Sequence, residues 1–199
     1  MSGAKEAIIE AAKKVIAQQG VNNASIQAIV DEAGISKGAL YYHFKSKEML
    51  LLDVIDQTIQ EYAAPAQASR SVDKERFRQA LLQGIGKRLQ NETYNKLQFY
   101  LAHEAVRGNE ELENRFAAQY DRWIESSQHF IDDLYGLPET RLSRALAAAL
   151  VAMNDGQAVQ LLVKAQPVPM QEMMELWDFM LMEGIPLLLA RLIERERTL

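Results

Sequence analysis

Apolar residues recur along this chain at helical rather than strand spacing, and most runs of them are closed by glycine, proline or a capping side chain. From Ala4 to Gln19 the positions Ile8, Ala12, Val15 and Ile16 fall on one face, and Gly20 stands where a left-handed C-terminal residue is expected. Ser25 then opens a short amphipathic segment, with Ile26, Ile29, Val30 and Ala33 at helical spacing, that stops at Gly34. Ser36 caps a second short segment in which Leu40 and Phe44 lie one turn apart and turn inward with Ile35. Two short helices joined by a tight glycine-containing turn make a helix-turn-helix.

After a capping Ser46, apolar positions continue through Met49, Leu50, Val54, Ile55 and Ile59 to about Tyr62. The stretch AAPAQASRSV, residues 63–72, with Pro65 and small side chains, reads as a boundary. Beyond it, Asp73 caps a helix carrying Phe77, Leu81 and Leu89, and a second helix carries Leu97, Leu101 and Val106 and ends at Gly108. A long third runs from Asn109 to Tyr135 and is stopped by Gly136 and Pro138. A fourth, rich in alanine and leucine, spans about Glu139 to Lys164. Pro167 and Pro169 break the chain before a last helix from Met170, which Pro186 after Gly184 should kink or divide. The expected fold is all-α, about nine helices: a three-helix N-terminal domain at 1–46, a connecting helix at 47–62 and a larger helical domain at 63–199.

The outer face of the second short helix is one that a core would not choose. With Leu40 and Phe44 inward, Lys37, Gly38, Tyr41, Tyr42 and His43 fall mostly outside, and the glycine lets a partner approach the backbone. Such a face suits the DNA major groove, its N-terminal residues reaching base edges while hydroxyls and first-turn N–H groups meet phosphate. Lys47, at the start of the next helix, is placed for a phosphate of the same groove. On the ordered set Ser25, Ala33-Gly34-Ile35-Ser36, Leu40-Tyr41, His43-Phe44 and Lys47-Glu48, residues 25–48 resemble the DNA-binding domain of the TetR-type (TetR/AcrR) transcriptional repressors. That resemblance implies Lys37, Gly38, Tyr41, Tyr42, His43 and Lys47 as DNA contacts, Ser25, Gln27 and Ser36 as backbone contacts, and Leu40 and Phe44 as core.

Charge changes the picture only once it is divided. The chain carries −5 overall, but residues 1–50 hold six Lys/Arg against five Asp/Glu, so the acidity lies in the remainder. Only charges near phosphate release counterions, so an acidic body is compatible with a weakly basic reading head. There is no cysteine, which excludes disulfides, thiol catalysis and cysteine-ligated metal. No N-terminal stretch has the charged-then-apolar order of a signal peptide, and the longest apolar run, Ala145 to Met153, falls short of a membrane span. The expected location is the cytoplasm, with no membrane partner, no cofactor and no metal.

In the larger domain the fourth body helix presents Ala145, Ala148, Ala149, Ala152 and Gly156 at close helical spacing, and the last helix is apolar over a broad arc. A symmetric four-helix interface between two copies accounts for both, with Met173 and Met180 among its residues; the resemblance implies the same dimer. Five of the eight methionines fall between Met170 and Met182, and interface packing is the preferred reading for them over an adaptable pocket wall. Candidate walls of a small-molecule site are Phe99, Tyr100, Phe116, Tyr120, Trp123, Met153 and Trp177, with His103, Glu104, Asn154 and Gln157 to orient a ligand.

The function expected is a homodimeric, ligand-responsive DNA-binding regulator. Repression, and release from a double-stranded operator by a small-molecule effector that shifts the connecting helix, are what the resemblance implies. The alternatives are a helical adaptor without specific DNA binding, and an all-α enzyme using His103 and Glu104. The first requires a degraded reading face, and the second lacks any nucleophile or metal motif around its three separated histidines.

Overall fold

A computed structural model describes residues 2–69, 73–136, 142–165 and 168–197. It is all-α, with no strand among the described residues. The elements are α1 (Ser2–Gln19), α2 (Ile26–Ala33), α3 (Lys37–His43), α4 (Lys47–Ser69), α5 (Lys74–Gln90), α6 (Glu92–Val106), α7 (Glu110–Tyr135), α8 (Ser143–Leu162), α9 (Met170–Phe179), a π-helical turn (Met180–Gly184) and α10 (Ile185–Glu196). With α9 and α10 taken as one helix through the π turn, these are nine helices among the described residues. The expected stop at Pro138, the start at Glu139, the break at Pro167 and residues 70–72 of the boundary stretch lie outside the described residues.

Most helix ends are made as the sequence predicts. Asp73 Oδ1 accepts the Glu75 N–H, Asn91 Oδ1 the Tyr94 N–H and Asn109 Oδ1 the Leu112 N–H, so α5, α6 and α7 each begin on a side-chain cap. Gly20, Gly108 and Gly136 take positive φ just beyond α1, α6 and α7.

The expected end of α4 near Tyr62 is wrong, because α4 runs on to Ser69 with Pro65 inside it. Proline removes one helical hydrogen bond and costs about 3 kcal/mol in a helix interior. Here the next residue, Ala66, is 1% exposed and sits in a core with Phe77, Ala147, Ile185 and Leu189, so stopping the helix would forfeit that packing. The Ser69 hydroxyl also donates to the Pro65 carbonyl at 2.7 Å.

The chain divides into two compact units. The first comprises residues 1–60 and 91–117, that is α1 to α3, most of α4, α6 and the start of α7; the second comprises 61–90 and 118–199. In the first, Ile8, Ala12, Val15 and Ile16 of α1 are buried as predicted, with Ile29, Val30, Leu40, Phe44 and Leu50 to Leu52. In the second, α5 comes so near α4 that a Cβ at Gly84 would stand 2.9 Å from the Tyr62 carbonyl oxygen, so only glycine fits without displacement.

Pro186 acts differently from a simple kink. The Ile185 N–H donates to Met180 O, five residues back, which is π geometry. The Leu181 carbonyl therefore loses its α-helical donor, and its π-helical donor would be residue 186, a proline with no N–H. Tyr135 supplies the missing donor from α7, its hydroxyl 2.6 Å from Leu181 O. Burial pushes the Tyr135 phenol well above its ordinary range, so it stays protonated and a donor at physiological pH. Tyr135→Phe would leave that carbonyl unsatisfied, and we expect a loss of about 1–3 kcal/mol of stability with an unchanged m-value in urea unfolding. An unchanged midpoint would show that the bond is not needed.

Candidate nucleic-acid interface

The helix-turn-helix is set by two serine caps and one glycine. Ser25 Oγ accepts the Ala28 N–H at 3.1 Å and starts α2; Ser36 Oγ accepts the Ala39 N–H at 3.2 Å and starts α3. Between them Gly34 adopts φ 65° and ψ 34°, and the Ile35 N–H reaches back to Val30 O at 3.0 Å. This left-handed C-terminal turn satisfies the carbonyls at the end of α2 and redirects the chain into α3. Ser46 repeats the device, its Oγ accepting the Met49 N–H at 3.2 Å at the start of α4.

Burial then decides which face of α3 is free. Leu40 is fully buried and Phe44 is 3% exposed, whereas Tyr41 and Tyr42 are 51% and 79% exposed. Exposed tyrosine of that degree, next to exposed Lys37 and Gly38, is a surface looking for a partner. At Gly38 no protein atom except Ser36 Oγ, 3.8 Å away, approaches the place of a Cβ, so the backbone there is open. Tyr42 meets the half-buried His43 ring edge-on at 5.1 Å, which holds both rings at the C-terminal end of α3. Lys37 and Lys47 make no ion pair among the described residues. Gln27 is exposed on α2 and donates to Asp31 one turn on at 2.7 Å, so a contact to DNA would need that bond to open.

Polar ties that local sequence patterns do not reveal border this face within the same unit. Lys5 of α1 lies 2.6 Å from Asp53 Oδ2, Arg115 of α7 lies 2.8 Å from Asp53 Oδ1, and Lys45 lies 2.7 Å from Glu111 Oε1. Lys5 also stands 5.4 Å from the Phe44 ring centre. The pairs that tie Asp53 and Lys45 to α7 link residues 62 and 66 apart in sequence, beyond the reach of periodicity or capping signals.

The candidate ligand residues separate into two groups. Phe99, Tyr100, His103, Glu104 and Phe116 belong to the first unit. Phe99 is 55% exposed, the His103 side chain is exposed against Glu104, and Phe116 is buried. Burial, and then the carboxylates of Glu48 and Glu104, push the Tyr100 phenol upward. Tyr120, Trp123, Met153, Asn154, Gln157 and Trp177 belong to the second unit, where several converge. The Tyr120 hydroxyl bonds Asp155 Oδ2 at 2.6 Å, and Arg88, a buried residue the sequence analysis did not single out, pairs with Asp155 Oδ1 at 2.7 Å. Trp177 Nε1 donates to Gln157 Oε1 at 2.9 Å and Gln157 Nε2 reaches Met173 Sδ at 3.0 Å. Trp123 packs edge-on to Tyr120 with its buried Nε1–H facing no acceptor among the described residues. Asp155 is thus already engaged by a guanidinium and a phenol.

A capped two-helix unit with a buried inner row and an exposed tyrosine and lysine face defines a helix-turn-helix DNA-binding domain. Residues 8–54 match the bacterial regulatory proteins of the tetR family. It is 48% identical over 59 residues to the HTH-type transcriptional regulator YerO of Bacillus subtilis, a match covering 30% of this chain and 20% of that protein. The chain therefore spans about a fifth of the length of this curated relative. Among solved structures, one assigned to the TetR-family transcriptional regulators from Rhodococcus sp. is 22% identical with a TM-score of 0.66, covering 94% of this chain and 98% of the other. Another, assigned as a transcriptional regulator from Saccharomonospora viridis and solved in complex with choline, is 23% identical with a TM-score of 0.63, covering 90% and 96%. These likenesses show the shared all-α fold. The family and the neighbours are transcriptional regulators, not enzymes.

Because Tyr42 and Lys37 are exposed and neither supports the core, Tyr42→Ala or Lys37→Ala should weaken operator binding about tenfold with the melting temperature unchanged. Electrophoretic titration beside thermal unfolding checks this. Unchanged DNA affinity in either variant would remove that residue from the reading face.

Proposed function

We propose that the protein is a cytoplasmic, homodimeric transcriptional repressor that leaves its operator when a small molecule binds its helical body. The observation that carries this reading is the free face of α3, where Lys37, Gly38, Tyr41 and Tyr42 are turned outward by the burial of Leu40 and Phe44. Residues 1–46 form the reading head, the helix from Ser46 connects it, and residues 63–199 bind the effector and the second copy. Each head reads one half of a roughly palindromic double-stranded site. His43 and Lys47 with the caps Ser25 and Ser36, and Gln27 once freed from Asp31, anchor the head to phosphates.

The dimer reading rests on α8 to α10. Ala145, Ala149, Ala152 and Gly156 form an exposed stripe on α8 with Ala148 half-buried beside it, and Leu176, Phe179, Met182 and Leu187 are each more than half exposed. By length and a mean hydropathy of 1.2, α8 could cross a membrane, contrary to the sequence expectation, and only 11% of it is buried. A second copy covers such a helix more economically than lipid does, because α8 also carries Asn154, Asp155 and Gln157, and Asp155 is ion-paired to Arg88. Met173 and Met180 are half-buried, Met173 through Gln157, and belong to the edge of this interface.

For the effector, the second unit offers Tyr120, Trp123, Gln157 and Trp177, in line with a structural neighbour that holds choline. The unpartnered Trp123 Nε1–H favours a ligand with a hydrogen-bond acceptor, and the prior engagement of Asp155 disfavours one recognised by charge alone. The effector must prefer the conformation that fits DNA poorly, and that preference limits the induction attainable.

Anisotropy titration of the full-length protein against DNA flanking its own gene, beside a scrambled duplex and across a salt series, tests the regulator reading. Binding that survives scrambled competitor is the expected result; equal affinity for both duplexes would favour the adaptor alternative. Phe179→Glu, at a position 56% exposed, should leave the subunit folded but convert dimer to monomer in sedimentation and lower operator affinity at least about tenfold. A dimer that persists in this variant places the interface elsewhere.

A further inference from the structure

We propose that Lys45 is a phosphate contact held in reserve by Glu111, so that the first turn of α7 competes with DNA for a cation at the edge of the reading face. The proposal rests on the DNA-binding reading above and adds a gate to it.

Lys45 directly follows Phe44, the residue that ends α3, and stands two positions before Lys47. Its side chain is 80% exposed, and its ammonium rests 2.7 Å from Glu111 Oε1. Glu111 belongs to an acidic first turn, Glu110, Glu111 and Glu113, whose carboxylates resemble a short row of phosphates in charge. The arrangement has a second member. Lys5, beside the Phe44 ring, is held by Asp53, and the other oxygen of Asp53 is held by Arg115, one turn along α7 from Glu111. Two lysines bordering the C-terminal end of α3 are thus occupied by carboxylates, while Lys37 and Lys47 are not.

The energetics favour exchange rather than permanence. An exposed pair such as Lys45–Glu111 is weak in water, because solvent screens it and two mobile side chains must be ordered. A phosphate backbone offers denser charge and releases bound counterions, so a lysine brought beside it changes partners. Glu111 then lowers DNA affinity by competition without abolishing it.

The test is a double-mutant cycle on the full-length protein with a random-sequence duplex, titrated across a salt series. Lys45→Ala should lower affinity and reduce the slope of log K against log salt by about 0.9 per chain engaged. Glu111→Gln should raise affinity about twofold to fivefold, and that gain should vanish in the Lys45→Ala background. A gain that persists without Lys45 would overturn the gate, since it would reflect only the loss of an acidic charge. A salt slope unchanged by Lys45→Ala would also overturn it. If the unmodified protein binds no duplex at any salt, the DNA-binding reading itself falls, an outcome distinct from failure of the gate.

Discussion

The burial of Leu40 and Phe44 fixes the rotation of α3 about its own axis, and the make-up of the face that α3 leaves exposed depends on that rotation. Side chains one turn apart on a helix share a face, so once these two are inside, Lys37, Gly38, Tyr41 and Tyr42 are outside by geometry alone. The caps at Ser25 and Ser36 and the left-handed Gly34 serve the same end, because they fix where α3 starts and from what direction the chain enters it. A hydrophobic constraint worth about 1.5–3 kcal/mol per buried side chain thereby positions polar groups that contribute little to stability themselves.

Elements specified by local chemistry were legible in the chain. Serine and asparagine caps, glycines beyond helix ends and the apolar spacing of α1 to α3 all act over four or five residues, and the structure repeats them almost residue for residue. What escaped was decided over longer distances. Pro65 reads as a boundary, yet Ala66 is held in a core whose other members come from four further helices. Arg88 reads as an ordinary charge on a polar helix, and only the fold brings it to Asp155, 67 positions away. Lys5, Lys45, Glu111 and Arg115 likewise look like solvated surface until α7 is placed beside the helix-turn-helix.

In the second unit, polar groups are buried in mutually satisfying sets. Asp155 with Arg88 and Tyr120, and Gln157 with Trp177 and Met173, bring side chains from α5, α7, α8 and α9 into fixed relation. Buried networks of this kind are costly when half satisfied, and here each member is bonded to another.

The π turn also settles an arithmetic difficulty in the last helix. Trp177, Leu181, Ile185 and Leu189, all buried, are spaced by four, and in a regular helix of 3.6 residues per turn such a row drifts by about 40° at each step. Over its three steps the row would wind about a third of the way round and carry Leu189 away from the core. A stretch with five-residue hydrogen bonding holds more residues per turn and takes up much of that drift. The inward row stays in line, and Leu176, Phe179, Met182 and Leu187 stay exposed away from it. One widened turn thus lets a single helix serve two surfaces at once.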